Sequence, residues 1–232
     1  VHEKWKEGIV FKSETEVYQT LLSCAVEYNN VDFVKRLLTF KNIDVNALVY
    51  KHDGKQTALY LAAETNNIEI IKLLLSCENI DVNIPYKSSN MVVTPLNIAI
   101  YNDEPEVVKL LLSFDKIDVN IPYKHDYTES PLFLCIDEER TDVLDLLLER
   151  DDIRINELTG KKKFIYSDEV QVLKTVLHLA VEKGDISIIK KLLSYKGIDV
   201  NTKDSLGKKP IEYTNDEQII QFFDLEGLDE KH

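Results

Sequence analysis

The run Tyr-Lys-His-Asp stands at 50–53 and again at 123–126. Active sites are assembled from such residues: a histidine to take a proton near neutral pH, an aspartate to orient it, a lysine or tyrosine to give one back. That chemistry needs the imidazole and the carboxylate together on one substrate. An extended backbone instead sends Tyr50 and His52 to one side and Lys51 and Asp53 to the other, and Asp53-Gly54 reads as a turn. Both runs are therefore read as surface punctuation, and no catalytic residue is assigned. The acids Asp103-Glu104 and Glu138-Glu139 read as solvated charge. Cys24, Cys77 and Cys135 lie more than fifty residues apart, which is neither a disulfide framework nor metal-ligand spacing. Without a glycine-rich phosphate loop, a G-x-S-x-G elbow or H-E-x-x-H, no metal and no cofactor is expected.

The elements that carry these residues come next. The chain has 232 residues, 44% of them apolar, enough to bury a core. No apolar run approaches the ~20 residues that cross a bilayer, so no membrane insertion is expected. The opening VHEKWKEG does not read as a secretory signal. Val1 is no initiator, so the chain reads as processed or as a segment of something longer. The net charge of −13 argues against a nucleic-acid partner. With three scattered cysteines and no N-x-[ST], the composition favours an intracellular, cytoplasmic home.

Self-similarity organises the sequence. NIDVN stands at 42–46 and 79–83, KIDVN at 116–120, DIRIN at 152–156 and GIDVN at 197–201. A second marker follows in step: TLLSCA from Thr20, TALYLA from Thr57, TPLNIA from Thr94, SPLFLC from Ser130, TVLHLA from Thr175 and a degenerate KPIEYT from Lys209. A third is VKRLL at 34–38, IKLLL at 71–75, VKLLL at 108–112, LDLLL at 144–148, IKKLL at 189–193 and IIQFF at 219–223. Thr94 suits a helix N-cap and Pro95 the first helical position. Leu59, Ala62 and Ala63 share one helical face. Asn29, Asn66 and Gly184 suit the left-handed residue that ends a short helix. In the second helix, Ile71, Leu74 and Leu75 make one stripe and Ile70 and Leu73 widen it, as stacking between two neighbours requires.

T-P-L-x-x-A, an asparagine or glycine four residues later, V-x-x-L-L and D-V-N together resemble the ankyrin repeat, over about Ser13 to Phe223. The resemblance implies an all-α solenoid of stacked helix-turn-helix units with projecting β-hairpin fingers. It implies one domain over 1–232: an extension at 1–12, repeats at 13–42, 43–79, 80–116, 117–152, 153–197 and 198–223, and an acidic tail at 224–232. The middle repeats are longer than the family's usual unit, and the extra residues fall in the fingers. Ser13 and Glu16 read as a capping box that opens the first helix. His178, at the family's T-P-L-H position, is expected to hydrogen-bond neighbouring backbone.

The two Tyr-Lys-His-Asp runs thus fall on finger tips two repeats apart, roughly 20 Å, too far to build one site. The finger segments together carry +3 and the rest of the chain −16. Candidate partner-binding residues are Tyr50, Lys51 and His52 in the first finger, Tyr86 and Lys87 in the second, and Tyr123, Lys124, His125 and Tyr127 in the third. In the long finger at 157–174 they are Lys161, Lys162, Lys163, Phe164 and Tyr166. There the β-prone runs Phe164–Tyr166 and Val170–Val172 suit a longer hairpin, and the three consecutive lysines favour the competing reading, a disordered loop. Tyrosine brings large contact area with little entropy to lose. The competing reading is that the tyrosines pack between fingers and the lysines only solubilise strands. The resemblance implies a monomeric, non-enzymatic module that grips a protein or peptide on a concave finger and first-helix face. The alternative is a regulatory or targeting segment of a larger, enzymatic protein.

Overall fold

Thr20, Thr57, Thr94, Ser130 and Thr175 each accept a hydrogen bond from the backbone N–H three residues on, at 3.0–3.4 Å. Each starts a short helix for the reason expected of an N-cap. The computed structural model describes residues 9–12, 18–51, 54–125, 128–160, 162–165 and 168–226, in two compact units, Val1–His125 and Asp126–His232.

The first unit opens with β1 (Ile9–Lys12) paired antiparallel to β2 (Tyr18–Thr20). Helices α1 (Leu21–Glu27) and α2 (Val31–Leu38) follow, then strands β3 (Val49–Lys51) and β4 (Gly54–Gln56). The pattern repeats as α3 (Ala58–Glu64), α4 (Ile68–Leu75), β5 (Tyr86–Lys87), β6 (Val92–Val93), α5 (Pro95–Tyr101), α6 (Pro105–Leu112) and β7 (Tyr123–Lys124). The second unit holds β8 (Thr128–Glu129), α7 (Pro131–Asp137), α8 (Thr141–Leu148), β9 (Lys162–Ile165), β10 (Asp168–Gln171), α9 (Val176–Lys183) and α10 (Ile186–Leu193). It closes with a 3-10 turn at Pro210–Tyr213, where the degenerate sixth marker stands, and α11 (Glu217–Glu226).

First helices are buried almost all round; Leu59, Ala62, Ala63, Ala99 and Ile100 have no accessible surface. Second helices bury Ile70, Ile71 and Leu74, or Val107, Val108 and Leu111, on the widened stripe that stacking demands. The D-V-N marker has a local cause. In Asp44, Asp81, Asp118 and Asp199 the carboxylate accepts from the N–H two residues on, at 2.8–3.0 Å, fixing a turn. The closing asparagine then straps its repeat to the next. Asn46 Nδ2 donates to Asn79 C=O at 2.7 Å while its Oδ1 accepts from Asp81 N–H at 2.9 Å. Asn83 does the same with Lys116 and Asp118, and Asn156 with Gly197 and Asp199.

The expected capping box at Ser13 and Glu16 lies outside the described residues; among those described, the first helix, α1, is opened by Thr20 in a capping box with Ser23. The left-handed position holds Asn29, Asn66 and Gly184 as expected, but also Asp103 (φ 59°) and Glu139 (φ 60°), read earlier only as solvated charge. Of the expected Asp53-Gly54 turn, Asp53 lies outside the described residues. Gly54 pairs with Lys51 at the start of β4, and a Cβ there would lie 2.3 Å from the Tyr86 ring, so it makes room for that ring.

Candidate functional site

In the first unit, β3 to β7 join in chain order as an antiparallel sheet, in which Lys55 pairs with Lys87 and Val92 with Lys124. Because side chains alternate, the sheet sorts its candidates by parity. Tyr86 pairs with Val93, which is fully buried, so Tyr86 faces the helices. It stacks on Tyr60 of α3 with ring centroids 5.3 Å apart and planes 23° apart. Tyr123 stacks on Tyr101 of α5 at 6.0 Å and 5°. Such offset stacks contribute beyond the area they bury. Tyr60 is buried and hydrogen-bonded to Glu64; burial, then Glu64 and the nearby Tyr86 and Tyr123, push its hydroxyl well above the usual phenol range. Tyr101 stays 45% exposed and Tyr86 and Tyr123 are half-buried. The helix-side surface is therefore a preformed layer of tyrosine.

Lys87 and Lys124 lie on the opposite side of the sheet, and so does Tyr50, the register partner of Lys55. The recurring Tyr-Lys pairs are thus not one row. Counting from the closing asparagine, Tyr86 and Tyr123 stand three residues on, where the first finger has Val49; Tyr50 stands four on, at the place of Lys87. The two Tyr-Lys-His-Asp runs accordingly face opposite ways, Tyr50 out and Tyr123 in. That parity could have been counted from the sequence. Tyr60 and Tyr101 carried no motif that singled them out.

Among the remaining candidates His125 is exposed, beside Lys124. His52, Tyr127, Lys161 and Tyr166 lie outside the described residues, and for Lys51, Lys162, Lys163 and Phe164 the backbone alone is described. Of the two readings of the long finger, the hairpin is the one found: β9 and β10 pair from Lys162↔Gln171 to Ile165↔Asp168. Bridges at Thr128↔Gly160 and Thr159↔Lys174 continue it at its base.

A second cluster, unsuspected from the sequence, lies in the other unit. His178 Nε2–H donates to Lys208 C=O at 2.9 Å and Nδ1 accepts from Thr175 N–H at 3.2 Å, the backbone role expected of it. Its ring meets Tyr213 edge-on at 5.8 Å. The Tyr213 hydroxyl donates to Asp204, which also accepts from Leu206 and Lys208 N–H, both at 2.9 Å. Lys174, buried, pairs with Glu182 at 2.5 Å and lies 4.1 Å over the Tyr213 ring. Burial lowers the His178 pKa against the opposing pull of the Lys208 carbonyl and Asp204. Burial raises Asp204, but Tyr213 and the two amides overcome it and hold the carboxyl below its ordinary value. Burial raises the Cys24 and Cys77 thiols, so neither is activated. Among the described residues there is no group of three or more His, Cys, Asp or Glu that could hold a metal, and no helix long and apolar enough to cross a membrane.

Helix pairs strapped by asparagines, with hairpins between them, define a helical-repeat protein with a solenoid fold. Family models described as "Ankyrin repeats (3 copies)" match residues 7–86 and 87–159, and one described as "Ankyrin repeat" matches 173–205; the chain belongs to the ankyrin-repeat family. Among solved structures it is similar to the ankyrin repeat domain of Bcl-3, a member of the IkappaB protein family. That match has 20% identity and a TM-score of 0.68 and covers 92% of this chain and 87% of that one. It is also similar to the ankyrin repeat protein EF0377, with 22% identity, a TM-score of 0.66, and coverage of 91% and 98%. No curated protein matches. Ankyrin repeats are generally protein–protein interaction modules and typically non-catalytic.

Proposed function

We propose that the chain is a non-catalytic binding module whose first unit grips a partner protein on the helix-side finger surface, through Tyr86, Tyr101 and Tyr123. The observation that carries this is the Tyr101–Tyr123 pair, parallel within 5° and still open to solvent at Tyr101. Rings already held in place lose little freedom on binding, and tyrosine is enriched where interfaces concentrate their energy. The stacks also mean that Tyr86 serves stability and contact at once, so it is a poor first probe.

Site-specific photo-cross-linking tests the reading. A benzophenone amino acid at position 101 should capture a discrete partner from host lysate, while the same group at Lys109 on α6 should not. Tyr101→Ala with Tyr123→Ala should abolish co-purification of that partner with an unchanged helical circular dichroism spectrum. Capture only from position 109, or undiminished co-purification, would move the interface elsewhere.

A further inference from the structure

The other side of the same finger sheet carries an ordered line of its own. Tyr50 pairs with Lys55, Lys55 with Lys87, Lys87 with Val92, and Val92 with Lys124. Cross-strand partners share a face, so these five residues form one line across β3 to β7. Strands lie about 4.8 Å apart, which sets Lys55 and Lys124 about 14 Å from each other. All three lysines are exposed, and among the described residues none is in an ion pair. Lys55 lies over the Tyr50 ring, 4.8 Å from its centroid. Like charges directly opposite each other weaken a sheet, and Lys55 and Lys87 are such a pair. The strands themselves gain nothing from it.

We propose that this lysine line binds an acidic, extended segment of a partner protein lying across the strands. An extended chain projects every second side chain to one side, about 6.8 Å apart, so carboxylates at i, i+2 and i+4 span about 14 Å. That is the reach from Lys55 to Lys124. Val92, half-buried, offers an apolar contact between Lys87 and Lys124, and Tyr50 ends the line. The three fingers that carry the line sum to +1 and the rest of the chain to −14, so an acidic segment is repelled by the rest of the chain and drawn to this line. A nucleic-acid backbone, charged along its whole length, would meet that repulsion over more of its contour. The line lies on the face away from Tyr86 and Tyr123, so it stands or fails independently of the tyrosine surface.

The probe is a fluorescein-labelled nine-residue peptide with aspartate at every second position and serine between, titrated with the full chain by anisotropy. Binding should weaken about tenfold or more in the Lys55→Glu, Lys87→Glu, Lys124→Glu triple variant and should weaken with added salt. It should be unchanged in Tyr101→Ala and in a Lys41→Glu, Lys109→Glu control, with all variants folded by circular dichroism. Absent binding, equal loss in the control, or tighter binding of inorganic polyphosphate or a single-stranded oligonucleotide would overturn the proposal. A separate readout is thermal: Lys87→Gln should raise the unfolding midpoint slightly by removing the like-charge pair. A fall would show that the pair supports the sheet, and would overturn the proposal as well.

Discussion

Gln56 and Val93 in the first unit and Glu129 and Lys174 in the second hold the same place, one residue before a helix N-cap, and all four are buried. The first unit fills the space around that place with tyrosine: Tyr86 pairs with Val93, crowds Gly54 and stacks on Tyr60. The second fills it around Lys174 with Glu182, Tyr213, Asp204 and His178. One backbone plan therefore tolerates opposite fillings, provided the place is closed to water. The consequences differ. Rings lose stability in proportion to the space they vacate, whereas a polar network fails through the partner it leaves behind and through pH.

Removing the ring at the centre of the first filling should have the largest effect. Tyr60 is 3% exposed, and Tyr60→Ala should lower stability by about 3–5 kcal/mol in urea unfolding. It also removes the stacking partner of Tyr86. A loss below about 1 kcal/mol would mean that Tyr86 settles into the space, and the rigid tyrosine layer would go with it.

In the second unit the matching variant is Asp204→Ala. It strands the Tyr213 hydroxyl and the Leu206 and Lys208 amides at a residue 5% exposed. A loss of about 2–3 kcal/mol is expected in the same assay. Tyr213→Phe, which removes only one of the three donors, should lose less. If both variants were neutral, the cluster would be incidental to the fold.

These two fillings also mark where the sequence could and could not be read. Each repeat marker has a cause within a few residues of itself: Thr57 caps α3, Pro95 and Pro131 start α5 and α7, and Asp81 fixes the turn that aims Asn83. Local causes repeat with the period, so the fold was legible. The long finger was legible only as a hairpin or a disordered loop, because its β-prone runs compete with three consecutive lysines; its strands, Lys162–Ile165 and Asp168–Gln171, start two residues earlier than those runs. Reading Tyr-Lys as a unit hid the one-residue offset that turns Tyr50 away from Tyr86, because parity lives in the count from Asn46 or Asn83 and not in the letters. The Lys174–Tyr213–Asp204 cluster joins residues 30 and 39 positions apart with no periodicity to betray them. Asp103 and Glu139 hid for another reason: Asp103 reads as half of an acidic pair and Glu139 is a residue type that disfavours the left-handed backbone it adopts, so the position and not the residue type was the signal.

Acid separates the two fillings next. His178 is held neutral by burial, with Lys174 adding to that and Asp204, Glu182 and the Lys208 carbonyl opposing it. Its folded pKa lies below the unfolded value of about 6.5. The unfolded chain therefore takes up a proton that the folded chain refuses, and stability present above that value is lost as pH falls below it. The depressed carboxyl of Asp204 acts in the same direction but only lower, as pH falls through the carboxylate range. Between pH 7.5 and 5.5, amide protection relative to the intrinsic exchange rate at each pH should fall more across Val176–Lys183 than across Ala58–Glu64, whose filling carries no imidazole. His178→Gln should flatten that difference. An equal fall in both helices would assign the acid response to something shared by the units.

The smallest effect comes where the units agree. Asp103 and Glu139 both close a first helix at φ near 60°, the place that Gly184 fills in the last full repeat and Asn29 and Asn66 in the first two. A side chain in that conformation loses about 1–2 kcal/mol to contact between its Cβ and the following carbonyl, less for Asn and Asp, which bond locally. Glycine removes the contact but frees the unfolded chain, returning part of the gain. Glu139 also sits 3.5 Å from Lys183 with a side chain 79% exposed, a pair whose loss matters little. Glu139→Gly should therefore stabilise by about 0.5–1 kcal/mol, and Asp103→Gly by less. Gly184→Ala should go the other way by about 1 kcal/mol: nothing lies within 4 Å of the added methyl, so only backbone strain can act. If Glu139→Gly proved destabilising while Gly184→Ala behaved as expected, strain would not be the governing term at Glu139, and the contact with Lys183 would have to be stronger than its exposure allows.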